Sequence, residues 1–164
     1  DYLLATGNNI DLVIFLHDKK SPHSPLGNYW FGELRKIFKP DLFERLLSEM
    51  HKSDVGICCS KNYIKNEYNK SDKTFDTPNN DLLIQLIDQY GLHAAYPYSF
   101  VAGTIFCSKW LPVKQFFLQY NPLRIKSTLE KGNIQDIGAG TLTHSWERVI
   151  SWIITSEGYA IKGL

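Results

Sequence analysis

The chain has 164 residues, 43% of them hydrophobic and 13% aromatic, which is enough apolar material for one packed core and too little length for two. Lysine and arginine total 18 against 17 aspartates and glutamates, so no overall field draws the protein to nucleic acid or to an anionic membrane surface, and any anion site must be local. No apolar stretch approaches the roughly 20 residues that a membrane-spanning helix needs, and the opening DYLLATGNN lacks the basic-then-apolar order of a signal peptide.

These bounds predict a single soluble domain over residues 1–164, cytoplasmic or at the cytoplasmic face of the membrane, with no nucleic-acid partner and no membrane span. The one methionine is Met50, and the chain does not begin with another, which leaves room for a longer polypeptide around a partial domain. Cys58, Cys59 and Cys107 lack metal-type spacing, and a bridge between the adjacent pair would be strained, so all three are expected to be reduced thiols in the core.

In chain order, DLVIFLH (11–17) is a continuous apolar run of strand length, as expected of a strand covered on both faces. From Gly27, NYWFGELRKIF reads as a helix. After Pro40, DLFERLLSEMHK reads as another, capped by Asp41, with Leu42, Leu46 and Leu47 on one side. VGICCS (55–60) is a second strand. The polar, Asn- and Lys-rich passage 61–80 has no periodicity and is expected to be a mobile surface loop or a lid.

DLLIQLIDQYGL (81–92) has helical apolar spacing at Leu82, Leu83, Leu86, Ile87 and Tyr90, a cap at Asn80 or Asp81, and a stop at Gly91. FVAGTIFCSKW (100–110) reads as one strand with an internal glycine, followed by the helix LPVKQFFLQY with Pro112 in its first turn. The segment TLTHSWERVISWIITSEGY places Leu142, Trp146, Val149, Ile150 and Ile153 on one stripe of a helix that ends before Gly158. Alternating strands and helices predict an α/β domain with a mostly parallel or mixed sheet, in which ligands gather outside the carboxyl ends of the strands.

Three places can carry chemistry. At the end of the first strand, His17, Asp18, Lys19, Lys20 and Ser21 are held in a loop stiffened by Pro22 and Pro25. The two ammonium groups and the hydroxyl suit a diphosphate, and Asp18 suits a divalent cation or a sugar hydroxyl. The same tetrad also reads as a first solvated turn.

Near the other end, a glycine-rich loop with Asp136 leads into the last helix. Its residues His144, Glu147, Arg148 and Ser151 share the face opposite the apolar stripe, and its start offers backbone N–H groups to an anion. An ordinary exposed helix face explains the same pattern. In mid-chain, Gly103 within an apolar strand permits close approach of a ligand or marks a bulge. DTPNND (76–81) is better explained by an Asx turn and a helix cap than by a metal. Most of Trp30, Trp110, Trp146 and Trp152 are expected in the core. The P-loop, dinucleotide-binding, nucleophile-elbow and CxxC patterns are missing from the sequence.

Together, FLHDKKSPHS after a strand, FVAGTIFCSKW in mid-chain and GAGTLTHSWERVI near the end resemble, in order and spacing over residues 11 to 164, the rhamnan synthesis protein F family and related polysaccharide-building glycosyltransferases. The resemblance implies a GT-A-like, Rossmann-type three-layer α/β sandwich that moves a sugar, rhamnose above others, from a nucleotide-sugar donor to an oligosaccharide or lipid-linked glycan acceptor.

On matching positions it also implies that His17, Lys19, Lys20 and Ser21 belong to the donor site, Gly103 and Thr104 to the wall between donor and acceptor, and His144, Glu147 and Arg148 to the far side. What sugar transfer needs then assigns the leaving phosphate to Lys19, Lys20 and Arg148, and the base to Asp136 or Glu147 with His144 as orienter. A divalent ion, Mn or Mg, would be held by Asp18. A non-catalytic glycan- or nucleotide-sugar-binding module of a larger protein is the alternative.

Overall fold

The computed structural model describes residues 9–16, 27–132, 134 and 138–164, so His17, Asp18, Lys19, Lys20, Ser21 and Asp136 lie outside the described residues. The elements in order are β1 (Leu12–Phe15), α1 (Gly27–Arg35), α2 (Pro40–Met50), β2 (Val55–Cys59), β3 (Ile64–Lys65), β4 (Tyr68–Asn69), β5 (Thr74–Phe75), α3 (Asn80–Tyr90), β6 (Phe100–Val101), β7 (Phe106–Lys109), α4 (Trp110–Gln119), α5 (Pro122–Thr128), α6 (Leu142–Thr155) and β8 (Ala160–Gly163).

The main sheet has the order β1-β7-β2-β8 and is mixed. β7 runs antiparallel to both β1 and β2, and β2 runs parallel to β8. β2 is buried along its whole length, as a strand covered on both faces should be. On one side Val55, Cys58 and Cys107 pack with Ile37, Leu46 and Met50 from the α1–α2 region. On the other, Ile57, Cys59 and Phe106 pack with Trp110 and Val113 of α4 and Ile154 of α6.

Strict alternation would put Val55 with Ile57. The register of the β2–β8 pair shifts between Val55 and Ile57, which resets the phase at a bulge. Gly56 stands there because a Cβ would collide with Tyr159 Cβ and meet Ile154 Cγ2 at 2.7 Å.

A second, aromatic core joins α3, α4 and α6 to β5 and β6. Leu83, Leu86, Phe116, Trp146, Val149 and Trp152 form its centre, with Leu142 and Ile150 packed against it. The stripe expected on the last helix packs in this core, and Ser145, Ser151, Trp152 and Ile154 outside the stripe are buried as well. Trp110, Trp146 and Trp152 are core residues, and Trp30 is exposed. Gly91 ends α3 in the left-handed region at φ 66°, as expected of a glycine stop.

Five expectations are corrected. Among the described residues β1 is an edge strand paired with β7, and its Ile14 is exposed. Residues 61–80 are not a free loop: they form a 3-10 turn, β3 and the β4–β5 hairpin, and Phe75 is buried against Trp152 with ring centroids 5.4 Å apart. Residues 100–110 make two strands in different sheets, β6 pairing with β3 and β7 lying in the main sheet, because the chain turns sharply at residues 102–104. Caps also differ. α2 starts after Lys39 with Pro40 in its first turn and Asp41 already helical, and α3 starts after Asn79, while the Asn80 side chain accepts a hydrogen bond from Phe75 N–H. Finally, β8 was not expected at all; four residues after a helix show no period.

The three thiols are free and buried. Burial pushes Cys58 and Cys59 up to about 12 and Cys107 up to about 11, which keeps them protonated at neutral pH. Iodoacetamide at neutral pH should therefore label none of the three in the native protein and all three in denaturant, as counted by mass spectrometry.

Candidate functional site

The face of α6 opposite its apolar stripe is covered by the segment 98–103 rather than by solvent. Trp152 Nε1–H donates to Tyr98 C=O at 3.0 Å, Val101 N–H donates to Ser151 Oγ at 3.1 Å, and Gly103 N–H donates to Glu147 Oε1. In between, Ala102 N–H donates to Tyr63 C=O at 2.9 Å. The match is geometric: residues i and i+4 of a helix lie about 6 Å apart along its axis, and residues i and i+2 of a strand about 6.7 Å. Ser151 and Glu147 thus supply side-chain acceptors for Val101 at the end of β6 and for Gly103 in the turn that follows it.

This arrangement brings two of the three singled-out segments together. Gly103 (φ 86°) and Thr104 (φ 48°) are both left-handed, a conformation that is strained for a β-branched threonine. A Cβ on Gly103 would also meet Leu34 Cδ1 of α1 at 2.7 Å.

Behind Glu147 lies a second carboxylate that the sequence did not mark. Glu67, between β3 and β4, accepts two hydrogen bonds from Arg148, from Nε at 3.1 Å and from Nη2 at 2.8 Å. Arg148 Nη1 donates to His144 C=O at 2.8 Å and to Glu147 Oε2 at 3.2 Å, and the guanidinium lies 4.8 Å from the Phe100 ring centroid. The Arg148 side chain is 11% exposed. Nε, Nη1 and Nη2 are all engaged within the protein. Its planar fork acts as an internal clamp that fixes the Glu147 carboxylate.

Each Glu147 oxygen accepts one such bond and keeps a second lone pair, and the side chain is 23% exposed, so the carboxylate can still take a proton or a hydroxyl. His144 Nδ1 lies 2.6 Å from Thr141 Oγ1, which leaves Nε2 as the polar edge of the ring.

The start of α6 does not offer its N–H groups to an outside anion, and that expectation is corrected. Glu130 accepts from Leu142 N–H at 2.7 Å, Thr143 N–H at 2.8 Å and the Thr143 hydroxyl at 2.7 Å, and Thr141 Oγ1 accepts from His144 N–H at 3.2 Å. Fully buried Asn79 accepts from Thr141 N–H at 2.8 Å. The protein's own carboxylate is the anion at this helix dipole.

Among the described residues no group of three or more His, Cys, Asp or Glu is placed to hold a metal ion. Glu67 and Glu147 share the single positive charge of Arg148. No helix among the described residues is long and apolar enough to cross a membrane. Comparisons with protein-family models, with curated proteins and with solved structures find no match for this chain.

Neither Glu67 nor Glu130 carries a local signal, since each acts on a residue far along the chain. Asn79 stood next to the expected cap, in a run of Asn-Asn-Asp that did not say which residue would turn inward.

Two outcomes test this geometry. Gly103→Ala forces both a left-handed alanine and a clash with Leu34, and should destabilise the fold by about 1–3 kcal/mol in urea titration. For Glu130, burial would raise the carboxyl, but the bonds from the Thr143 hydroxyl and from the Thr143 and Leu142 N–H groups outweigh it and hold it down to about 2. A depressed carboxyl stabilises the fold above its ordinary 4.5 and loses that contribution as pH falls towards about 2. Glu130→Gln should lower Tm at neutral pH, and the gap to wild type should close over that acid window.

Proposed function

We propose that this protein is a nucleotide-sugar-dependent glycosyltransferase of GT-A-like fold that builds a cell-wall, capsular or lipopolysaccharide-type glycan, with rhamnose as the favoured sugar. The observation that carries this reading is the hydrogen bond from Gly103 N–H to Glu147, which joins the F-x-x-G-T segment to the H-x-x-E-R segment, the two described motifs on which the family resemblance rests. The mixed α/β sheet with helices on both faces agrees with it at the level of architecture.

Sugar transfer requires a base for the acceptor hydroxyl, positive charge for the departing diphosphate, and exclusion of water. Glu147 is assigned the base, oriented by Arg148 and by Gly103 N–H, with His144 Nε2 available to the acceptor and Asp136 as the other base candidate. Gly103 and Thr104 form the wall beside Glu147. Because the Arg148 guanidinium is engaged with Glu67, His144 and Glu147, it is assigned to positioning Glu147. The diphosphate is left to Lys19 and Lys20, supported by His17, Asp18 and Ser21, all outside the described residues. A divalent ion bound by Asp18 would neutralise diphosphate charge.

Glu147→Gln, which keeps the shape and loses the base, should reduce release of nucleotide diphosphate in the presence of a glycan acceptor by about 100-fold or more. Donor binding by calorimetry, run over UDP-, dTDP- and GDP-sugars with and without Mn²⁺, should persist in that variant and weaken at least tenfold, by about 1.4 kcal/mol, in the Lys19→Ala/Lys20→Ala double variant. Unchanged turnover of Glu147→Gln and of Asp136→Ala would refute the base assignment. Absence of binding to any of the donors would favour a structural module.

A further inference from the structure

A cavity of about 300 Å³ opens where three helices meet, between the end of α3, the end of α4 and the turns of α5. Gln89 and Tyr90, Gln119 and Tyr120, and Arg124 and Thr128 line it, one pair from each of the three. Tyr90 rests on Trp146 with ring centroids 5.4 Å apart, so the floor belongs to the aromatic core. Trp146 lies on the apolar stripe of α6 and Glu147 on the face that meets segment 98–103, which makes this cavity separate from the Glu147 site.

Arg124 is the only charged residue among the described residues that line the cavity. Its side chain is exposed, and among the described residues its guanidinium enters no ion pair or hydrogen bond, unlike that of Arg148. The start of α5 is not itself an anion site, because Asn121 Oδ1 already accepts from Leu123 N–H at 2.8 Å and from Arg124 N–H at 3.3 Å. An unengaged planar fork in a lining without an acid calls for a carboxylate.

The other groups restrict which carboxylate. α3 and α4 both end at the cavity, where their dipoles are negative and their last carbonyls call for donors. A phosphate dianion is disfavoured there, and a monoanion carrying hydroxyl groups is favoured. Thr128 Oγ1 donates to Ile125 C=O at 2.7 Å and Gln119 Nε2 donates to Tyr120 Oη at 3.1 Å, which leaves the Thr128 lone pairs and the Gln119 carbonyl oxygen to accept. The Tyr120 ring is fixed edge to face against Tyr90 at 4.8 Å and against Phe116 at 4.9 Å, a rigid wall for an apolar ring face.

We propose that this cavity binds a uronate, a cyclic sugar acid, with the carboxylate on Arg124, the ring against Tyr120 and hydroxyls on Gln119 and Thr128. The choice of a sugar acid over another hydroxy acid rests on the proposed function, in which the protein handles glycans. The site is a contact for an acidic glycan residue, apart from the transfer centre.

The test is amide-resolved NMR titration of the full chain with methyl glucuronoside and methyl galacturonoside, with the matching neutral glucoside and galactoside, and with inorganic phosphate. The expected result is saturable shifts for at least one uronoside, confined to residues 89–91 and 119–128, with the matching neutral glycoside weaker by about fivefold or more. Arg124→Gln should weaken uronoside binding by about fivefold or more and leave Tm unchanged, since the side chain is exposed and unengaged. Arg124→Lys, which keeps the charge and loses the fork, should bind more weakly than wild type and more tightly than Arg124→Gln.

Absence of saturable shifts with both uronosides overturns the proposal. So does tighter binding of inorganic phosphate than of either uronoside at these amides, equal affinity for uronoside and neutral glycoside, or wild-type affinity in Arg124→Gln. The transferase reading fails separately: uronoside binding here in a protein that binds none of the nucleotide sugars keeps the cavity and removes the transfer, whereas turnover that depends on Glu147 without uronoside shifts removes the cavity alone.

Discussion

The fold turns on one choice of partners: side chains of a helix accept the N–H groups of a strand end and of the turn after it. Val101 at the end of β6 and Gly103 in the turn that follows need acceptors for their N–H groups, and α6 supplies Ser151 and Glu147 at nearly the same spacing. An unpaired buried N–H is costly, so segment 98–103 cannot shift along α6 without losing several bonds at once. The left-handed turn at Gly103 and Thr104 is fixed by that same constraint. The carboxylate assigned to chemistry is thus also a structural acceptor, and its geometry is set by the packing of the aromatic core beneath it.

The charges follow a consistent logic. Glu130 settles the amide end of α6, and Glu67 with Arg148 holds Glu147 from behind. A buried arginine between two carboxylates is worth keeping only where its remaining donors are satisfied, and here a backbone carbonyl completes the set. At the opposite end of the helix the last turn, Trp152–Thr155, carries no charged side chain. One element therefore presents two different environments, an ionic one at its start and a neutral, aromatic one at its end.

Much of this was readable in the sequence where a period existed. The stripe Leu142, Trp146, Val149, Ile150 and Ile153 named the face of α6 that packs in the aromatic core, and the grouping of His144, Glu147, Arg148 and Ser151 named the face that meets segment 98–103. What was misread follows a pattern as well. Residues 100–110 look like one apolar strand because a turn built on Gly103 and Thr104 leaves no polar mark. Residues 61–80 look like a loop because strands of two residues, anchored by Tyr68 and Phe75, carry no alternation. β1 looked internal because its composition resembles that of β2, and only the sheet order distinguishes edge from centre. Glu67 and Glu130 were illegible because their partners lie on α6, far away in sequence.

The order of strands in the main sheet has a consequence for how the protein is made. Each pairing joins distant parts of the chain: β1 to β7, β7 to β2, and Val55 of β2 to Ala160 of β8. Such a topology places loop closure ahead of most of its reward and slows folding. During synthesis, β2 has no neighbour on one side until the residues of β8 have left the ribosome. The apolar strand keeps an open edge until then, which is when it is most exposed to pairing with another chain.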